Sequence, residues 1–190
     1  MNVAQRVQAI LSDPETAWSK IEIESTDAAY LLTRYVAVLA LIPPVAAFIG
    51  ACVIGVVVPG VGTARLPLIT GLFGAVFGYV ISGVAVLIVA LAAHLLAPSF
   101  GGRRDFERAS KLVVYSYTPL WLAGIFLLAP GVRFLLFTGC YGAYILWLGS
   151  PVLMKTPKAK TWPYVAAIFA CACAVTLIIV AAQRALFGLP

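Results

Sequence analysis

The side chains best suited to chemistry are hydroxyl groups in the third and fourth of five long apolar stretches. Hydroxyl groups at one depth of neighbouring membrane helices could line a polar pocket between them. Such a pocket would bind a transported molecule or a lipid through neutral hydrogen bonds. The candidate pocket residues are Tyr115, Ser116, Tyr117, Thr118, Pro119, Tyr141 and Tyr144.

The same segment also has a purely structural interpretation. A proline inside a helix removes one backbone N–H, and its ring clashes with the carbonyl four residues earlier, so Pro119 frees the carbonyl of Tyr115. In hydrocarbon that carbonyl needs another donor, and Ser116 and Thr118 are placed to repair the break. The sequence leaves the pocket and the repaired kink open as alternatives.

Other kinds of reactive site are disfavoured by the residue types in the apolar stretches. All seven acidic residues lie outside them, which argues against carboxylate-based proton coupling in the membrane. His94 is the single histidine and has no acidic partner there. Cys171 and Cys173 are two residues apart and would point in different directions on a helix. We therefore expect no metal, no cofactor and no catalytic residue, and a protein that is not an enzyme.

The composition of the chain predicts an integral membrane protein. Of its 190 residues, 63% are hydrophobic and 11% are charged, which leaves too little polar surface to cover a water-soluble protein. A spanning helix needs about 20 mainly apolar residues. We predict an all-α, polytopic protein with a cytoplasmic amphipathic segment at 1–30 and a five-helix transmembrane domain at 31–190. The five predicted spans are 31–58, 68–97, 110–129, 132–149 and 162–187.

Lysine and arginine residues predict the orientation of these helices. Ten of the thirteen lie in the amino-terminal stretch and in the loops at 98–111 and 150–161, and the opposite side has only Arg65, Arg133 and Arg184. Because positive loops stay in the cytoplasm, we expect a bacterial inner-membrane protein with a cytoplasmic amino terminus and an external carboxyl terminus. The first residues lack the features of a cleaved signal peptide, so we expect them to be retained.

The polar stretches predict a surface for lipids or a protein partner. Apolar residues at 3, 7, 10 and 11 indicate a short amphipathic helix on the membrane or on the bundle. A second short helix is expected to begin with Ser12 as its N-cap. Trp18 on that helix suits the headgroup layer or a partner contact. The net charge of +6 sets orientation and attracts anionic headgroups, and nucleic acid is not expected as a partner. The candidate surface residues are Trp18, Arg103, Arg104, Lys155 and Lys158.

Two further patterns concern helix geometry. Pro43 and Pro44 predict a kink in the first span. Small residues at 74, 78 and 82 predict close helix packing, either within the chain or with a second copy.

Three segments together resemble the bacterial branch of the Yip family, the Ypt/Rab-interacting membrane proteins. They are 11–18 (LSDPETAW), 115–119 (YSYTP) and 144–158 (YILWLGSPVLMKTPK). The resemblance implies five helices, a cytoplasmic amino terminus and no catalytic residue. Eukaryotic members, which have a longer cytoplasmic amino-terminal region, are associated with prenylated Rab GTPases, vesicle traffic and membrane shaping. Only about 30 residues precede the first helix here, which is a departure from that pattern.

Two functions fit these observations. The first is a non-enzymatic protein with a membrane-organising, trafficking-like or scaffolding role, acting through its cytoplasmic helices and loops. The alternative is a small uncoupled transporter or lipid-handling protein with a polar pocket around 115–119. Membrane lipids are the expected partners of either, together with another membrane protein or a second copy of the chain.

Overall fold

Two short helices precede the membrane helices in the computed structural model, which describes residues 2–24, 28–58 and 62–187. Helix α1 is Val3–Ser12 and helix α2 is Pro14–Ile23. The N-cap of α2 is Asp13, whose side chain accepts a hydrogen bond from the Thr16 amide at 3.2 Å. The prediction of Ser12 as N-cap is wrong by one residue, because the Ser12 hydroxyl donates instead to the Gln8 carbonyl within α1.

Within the described ranges, five helical segments are long and apolar enough to cross a membrane, which confirms the all-α polytopic prediction. Their bounds lie within a few residues of the predicted spans. They are α3 (Leu31–Ile54), α4 (Leu68–Phe100), α5 (Phe106–Leu128), α6 (Pro130–Leu153) and α7 (Lys158–Leu186).

Helix α3 is irregular, as its two prolines predict. Its α-helical turn Ala37–Leu39 stops before a turn at residues 40–41, and a new helical segment, Ile42–Phe48, begins with Pro43 and Pro44 in its first turn. Placing a proline in the first turn costs no internal hydrogen bond. The segments Leu31–Val36 and Ile49–Ile54 are π-helical.

A small β-hairpin follows α3. The first span was predicted to end at residue 58, but α3 ends at Ile54. Strand β1 (Val56–Val58) pairs antiparallel with β2 (Gly62–Ala64), and Val57 lies opposite Thr63. Residues 59–61, which connect the two strands in sequence, lie outside the described residues.

Helices α5 and α6 form a tight antiparallel hairpin, and each changes helical type part-way. In α5, the segment Phe106–Ser116 is followed by Thr118–Ala123 and then by the 3-10 segment Gly124–Leu128. In α6, the 3-10 segment Pro130–Cys140 precedes the α-helical segment Tyr141–Leu153.

Buried side chains concentrate at the end of the bundle that carries α1 and α2. Helix α2 packs on the Tyr141–Leu153 half of α6, and that half packs on Phe106–Ser116 of α5. Every residue from Ala109 to Ser116 is buried. We call α1, α2 and these two half-helices the cap. Beyond it, the helices expose large apolar side chains, as expected for surfaces that face lipid.

Candidate functional site

Trp18 lies inside the cap and not on a surface. Its side chain has 0% exposure, and its indole N–H donates to the Ile145 carbonyl at 3.0 Å. The ring lies over Gly149, where an added Cβ would be 2.5 Å from Trp18 Cε2. The prediction that Trp18 sits in the headgroup layer or contacts a partner is therefore wrong: α2 packs flat on α6, and this face of α2 is covered.

Ion pairs hold the end of α2 against α5. The Arg6 guanidinium, which is 5% exposed, pairs with Glu24 and lies over the Tyr115 ring, 5.5 Å from its centroid. Burial lowers the pKa of Arg6, but its hydrogen bond to Glu24 and the nearby negative charge outweigh burial and raise it overall. The buried Lys111 ammonium donates to the Glu24 carbonyl at 2.7 Å and pairs with Glu107 at 3.2 Å.

A second set of ion pairs ties α2 to the loop after α6. Glu22 pairs with Lys155 and lies 3.7 Å from Arg108, which also pairs with Asp105 at 3.4 Å. Lys155 is one of the predicted surface residues. Its side chain is exposed, but its ammonium pairs with the Glu22 carboxylate.

The two basic loops meet edge to edge at this end of the bundle. The Arg103 amide donates to the Met154 carbonyl at 2.7 Å, and the Gly102 amide donates to the Ala97 carbonyl at 2.8 Å. Gly101 makes the turn with a positive φ of 77°, and an added Cβ there would lie 4.0 Å from the Lys160 side chain. Four exposed cations, which pair with no carboxylate of the described chain, form what we call the basic rim: Arg103, Arg104, Lys158 and Lys160.

The predicted polar pocket is not one cavity, because its residues face three directions. The Tyr35 and Thr118 hydroxyls share a hydrogen bond of 2.7 Å inside the core. The Tyr115 ring makes edge contacts with Tyr35 at 5.0 Å and with Trp18 at 6.2 Å. Tyr115, Thr118 and Pro119 are thus buried packing residues and not pocket walls. The predicted repair of the Tyr115 carbonyl is not seen among the described residues, because the Thr118 hydroxyl bonds to Tyr35 and the Ser116 hydroxyl has no partner.

Tyr141 and Tyr144 are exposed and belong to a row of aromatic rings that also includes half-buried Trp147 and exposed Trp162. Tyr141 contacts Tyr144 at 5.5 Å between centroids, Tyr144 contacts Trp147 at 6.0 Å, and Trp147 stacks on Trp162 at 5.6 Å. Rows of tyrosine and tryptophan are typical of the membrane–water interface. Neither tyrosine lines the cavity, described next, that Ser116 and Tyr117 border.

Ser116 and Tyr117 line a different and mainly apolar cavity of about 450 Å³. The cavity lies between α5, α6 and α7, and Val89 of α4 forms part of its wall. Gly142 lets α6 approach the Ser116 carbonyl closely at its edge. The other walls of the cavity come from small or apolar residues, among them Gly139, Ala143, Ile168, Ala172 and Leu177. The small residues at 139, 142, 143 and 172 leave space for the cavity, but the sequence alone does not distinguish them from ordinary packing residues.

Metal-binding geometry is not found among the described residues, where no group of three or more His, Cys, Asp or Glu side chains comes together. Cys140 and Cys173 line the apolar cavity, and Cys52 is buried against α4. His94 contacts the Phe106 ring at 6.0 Å.

Five apolar helices with a buried polar cap define a polytopic helical membrane protein. The family sequence model of the Yip1 domain matches residues 9–181 of the chain. The chain therefore belongs to the Yip1 family, as the sequence resemblance implied. It is 29% identical over 160 residues to the inner membrane protein YohC of Escherichia coli K12, covering 81% of each chain. The same protein from E. coli strain CFT073 gives the same values. No solved structure matches the chain.

Proposed function

We propose that this protein is a non-enzymatic organiser of the bacterial inner membrane, which holds anionic lipid headgroups at a fixed basic rim on its cytoplasmic side. The location rests on the relative, which is named as an inner membrane protein. The orientation rests on the positive-inside bias of the sequence.

The observation that carries this proposal is the union of the two basic loops into one rim. Arg103 and Arg104 on one loop and Lys158 and Lys160 on the other are held together by the backbone hydrogen bond from Arg103 to Met154. Glu22, Asp105 and Glu107 are engaged by other cations, so they do not neutralise the rim. Each exposed cation near an anionic membrane surface contributes about 1 kcal/mol of attraction.

The rigid attachment of the cap supports an organising role. Buried Trp18 and the ion pairs of Glu22 and Glu24 fix α2, so the rim keeps its shape without a bound partner. A preformed charged surface loses less conformational entropy on binding than a flexible one. The alternative, a small uncoupled transporter or lipid-handling protein with a polar pocket around 115–119, is not supported in that form. Of those residues only Ser116 and Tyr117 line a cavity, and its wall is mainly apolar.

Lipid retained by purified protein tests this proposal. We expect the protein, reconstituted in nanodiscs of mixed phosphatidylglycerol and phosphatidylethanolamine, to enrich phosphatidylglycerol several-fold in its retained lipid shell. The triple variant Arg103→Gln, Arg104→Gln, Lys158→Gln should lose most of that enrichment.

The matched control removes three cations at the opposite end, with Arg65→Gln, Arg133→Gln and Arg184→Gln. It changes net charge equally and should keep the enrichment. Equal retention by both triple variants would refute the rim as a lipid site. A second result would also refute it. If the rim variant in cells lost a cross-link to another membrane protein while its lipid retention stayed unchanged, the rim would be assigned to a protein partner.

A further inference from the structure

The cavity between α5, α6 and α7 opens sideways toward the surrounding membrane. Several residues of its wall also contribute to the outer surface, among them Leu120, Phe169 and Leu177, the last with 69% exposure. All lining residues belong to membrane-spanning helices. A molecule already dissolved in the bilayer could therefore enter without crossing the headgroup layer.

The chemistry of the wall selects an uncharged, elongated apolar ligand. No lysine, arginine, aspartate, glutamate or histidine contributes to it. A charged group would have no counter-charge there, and water would find few hydrogen-bond partners. The volume of about 450 Å³ falls within the usual range for ligand sites. Hydrocarbon chains are the apolar ligands that a membrane supplies in excess.

Ser116 provides the one buried side-chain hydroxyl of the wall that lacks a hydrogen-bond partner among the described residues. It is 6% exposed, and its Oγ is shielded with no hydrogen-bond partner in the protein. Serines in helices usually donate to the carbonyl four residues earlier, as Ser110 does to Phe106 and Ser150 to Leu146, both at 2.7 Å. Ser116 does not follow them. Its Oγ is covered in this conformation, so a rotation about χ1 is needed to bring the hydroxyl to an acceptor in the cavity.

The depth of Ser116 fits one kind of acceptor. Ser116 is the last residue of the α5 half of the cap, and its neighbour Tyr115 contacts the Arg6 guanidinium. The remaining wall, from Leu120 and Leu136 to Leu177, continues into the exposed apolar half of the bundle. Ser116 thus lies where the polar cap meets hydrocarbon, which is the level at which phospholipid acyl chains join their ester groups.

We propose that this cavity binds one acyl chain of a membrane phospholipid, whose ester carbonyl accepts a hydrogen bond from the Ser116 hydroxyl. The site shares no residue with the basic rim and does not depend on the function proposed for the rim. This proposal gives a role to the Ser116 hydroxyl, which has no hydrogen-bond partner in the described part of the protein.

Photo-crosslinking in nanodiscs tests the site directly. The probe is phosphatidylglycerol with a diazirine in one acyl chain, and adducts are mapped by mass spectrometry of peptides. We expect adducts concentrated several-fold on residues 136–146 and 168–177. Ala172→Phe, which fills the cavity, should reduce them at least threefold. Ala170→Phe, two residues away on the exposed face of the same helix, is the matched control and should not.

Ala143→Phe provides a second filling variant from α6, so that the test does not depend on one substitution folding well. Adducts spread evenly over exposed residues of α3 and α4, or unchanged in a folded filling variant, would show ordinary surface lipid only and overturn the proposal. Preferential capture of a diazirine-bearing isoprenoid over the phospholipid would also overturn it.

The role of Ser116 is tested by comparing ester-linked with ether-linked phosphatidylglycerol, which lacks the carbonyl. Wild type should capture the ester probe several-fold better than the ether probe, and Ser116→Ala should capture both equally. Equal capture by wild type would remove the hydrogen bond from the proposal. A fall in the thermal stability of Ser116→Ala without lipid would indicate a structural role instead.

Discussion

Trp18 joins a polar, amino-terminal helix to the membrane bundle through contacts that involve distant parts of the chain. Its ring and the side chain of Leu112 in α5 both lie against Gly149 of α6, and its N–H donates to the Ile145 carbonyl. The residue type and local sequence indicate an interfacial anchor, because nothing near Trp18 in sequence reveals its partners. Leu112 lies 94 positions away, and Ile145 and Gly149 lie 127 and 131 positions away. Its burial could be recognised only from the packed structure.

Replacement of Trp18 should destabilise the protein strongly. Trp18→Ala removes a fully buried ring and should lower the free energy of unfolding by about 3–5 kcal/mol. Trp18→Phe should cost less, since most of the ring contact remains and one hydrogen bond is lost. The matched control is Trp162→Ala, whose side chain is 64% exposed and which should cost about 1 kcal/mol or less. Unfolding in detergent measures both, and equal losses would contradict the burial of Trp18.

Asp13 gives a pH-dependent prediction. Hydrogen bonds from Thr16 hold the pKa of the Asp13 carboxyl below its ordinary value of 3.8. A lowered pKa in the folded state stabilises the protein fully above the ordinary value, and this contribution is lost as pH falls through the lowered one. Asp13→Ala should therefore unfold at a lower temperature than wild type at pH 7, with a smaller difference at pH 3. A difference that does not shrink in acid would contradict the ionised cap.

At the scale of elements, the kink in α3 packs against a glycine in α5. Pro43 and Pro44 predict the kink locally, but the sequence does not show what fills it. Pro43 packs on Gly124, where an added Cβ would lie 2.9 Å from the proline Cα. The two helices therefore approach closely at the break.

Gly124→Ala should separate α3 from α5 and destabilise the protein by about 1–3 kcal/mol through overpacking. The matched control is Gly83→Ala in α4, where an added Cβ meets no atom within 4 Å. That change should be neutral or stabilising by up to about 1 kcal/mol, because alanine favours helix over glycine. Thermal unfolding of the two variants compares them. Equal behaviour would show that Pro43 does not rest on Gly124.

The sequence predicts the helices much better than the sites. Apolar stretches of sufficient length identify all five spans, and the prolines locate the break in α3. The apolar cavity could not be predicted in the same way, since Gly142 and Ala172 read as ordinary packing residues until α6 and α7 are placed side by side. Ser116 is likewise indistinguishable in sequence from Ser110 and Ser150, which bond within their own helices.

At the scale of the whole molecule, the helices differ in length by an amount that the cap explains. The α-helical segments Leu68–Leu96 and Lys158–Phe187 are about 44 and 45 Å long, whereas the hydrocarbon layer is about 30 Å thick. The excess of about 14 Å is close to the length of Phe106–Ser116, the α5 half of the cap, which is about 16 Å. Thr118–Leu128 and Pro130–Cys140 beyond the cap reach only about 19 and 22 Å. Both lengths are shorter than the hydrocarbon layer. The most informative test of the topology is therefore to ask whether this hairpin crosses the bilayer.

A cysteine at the tip of that hairpin decides the question. Gly131 has space around an added Cβ, so Gly131→Cys should fold normally once the four native cysteines are replaced. In right-side-out vesicles of the inner membrane, we expect a membrane-impermeant maleimide to label Gly131→Cys at once. Lys158→Cys in the basic rim should react only after permeabilisation, because the rim should face the cytoplasm. Labelling of both from outside, or of neither, would mean that α5 and α6 do not cross. The reverse pattern would invert the orientation and place the basic rim against the outer leaflet.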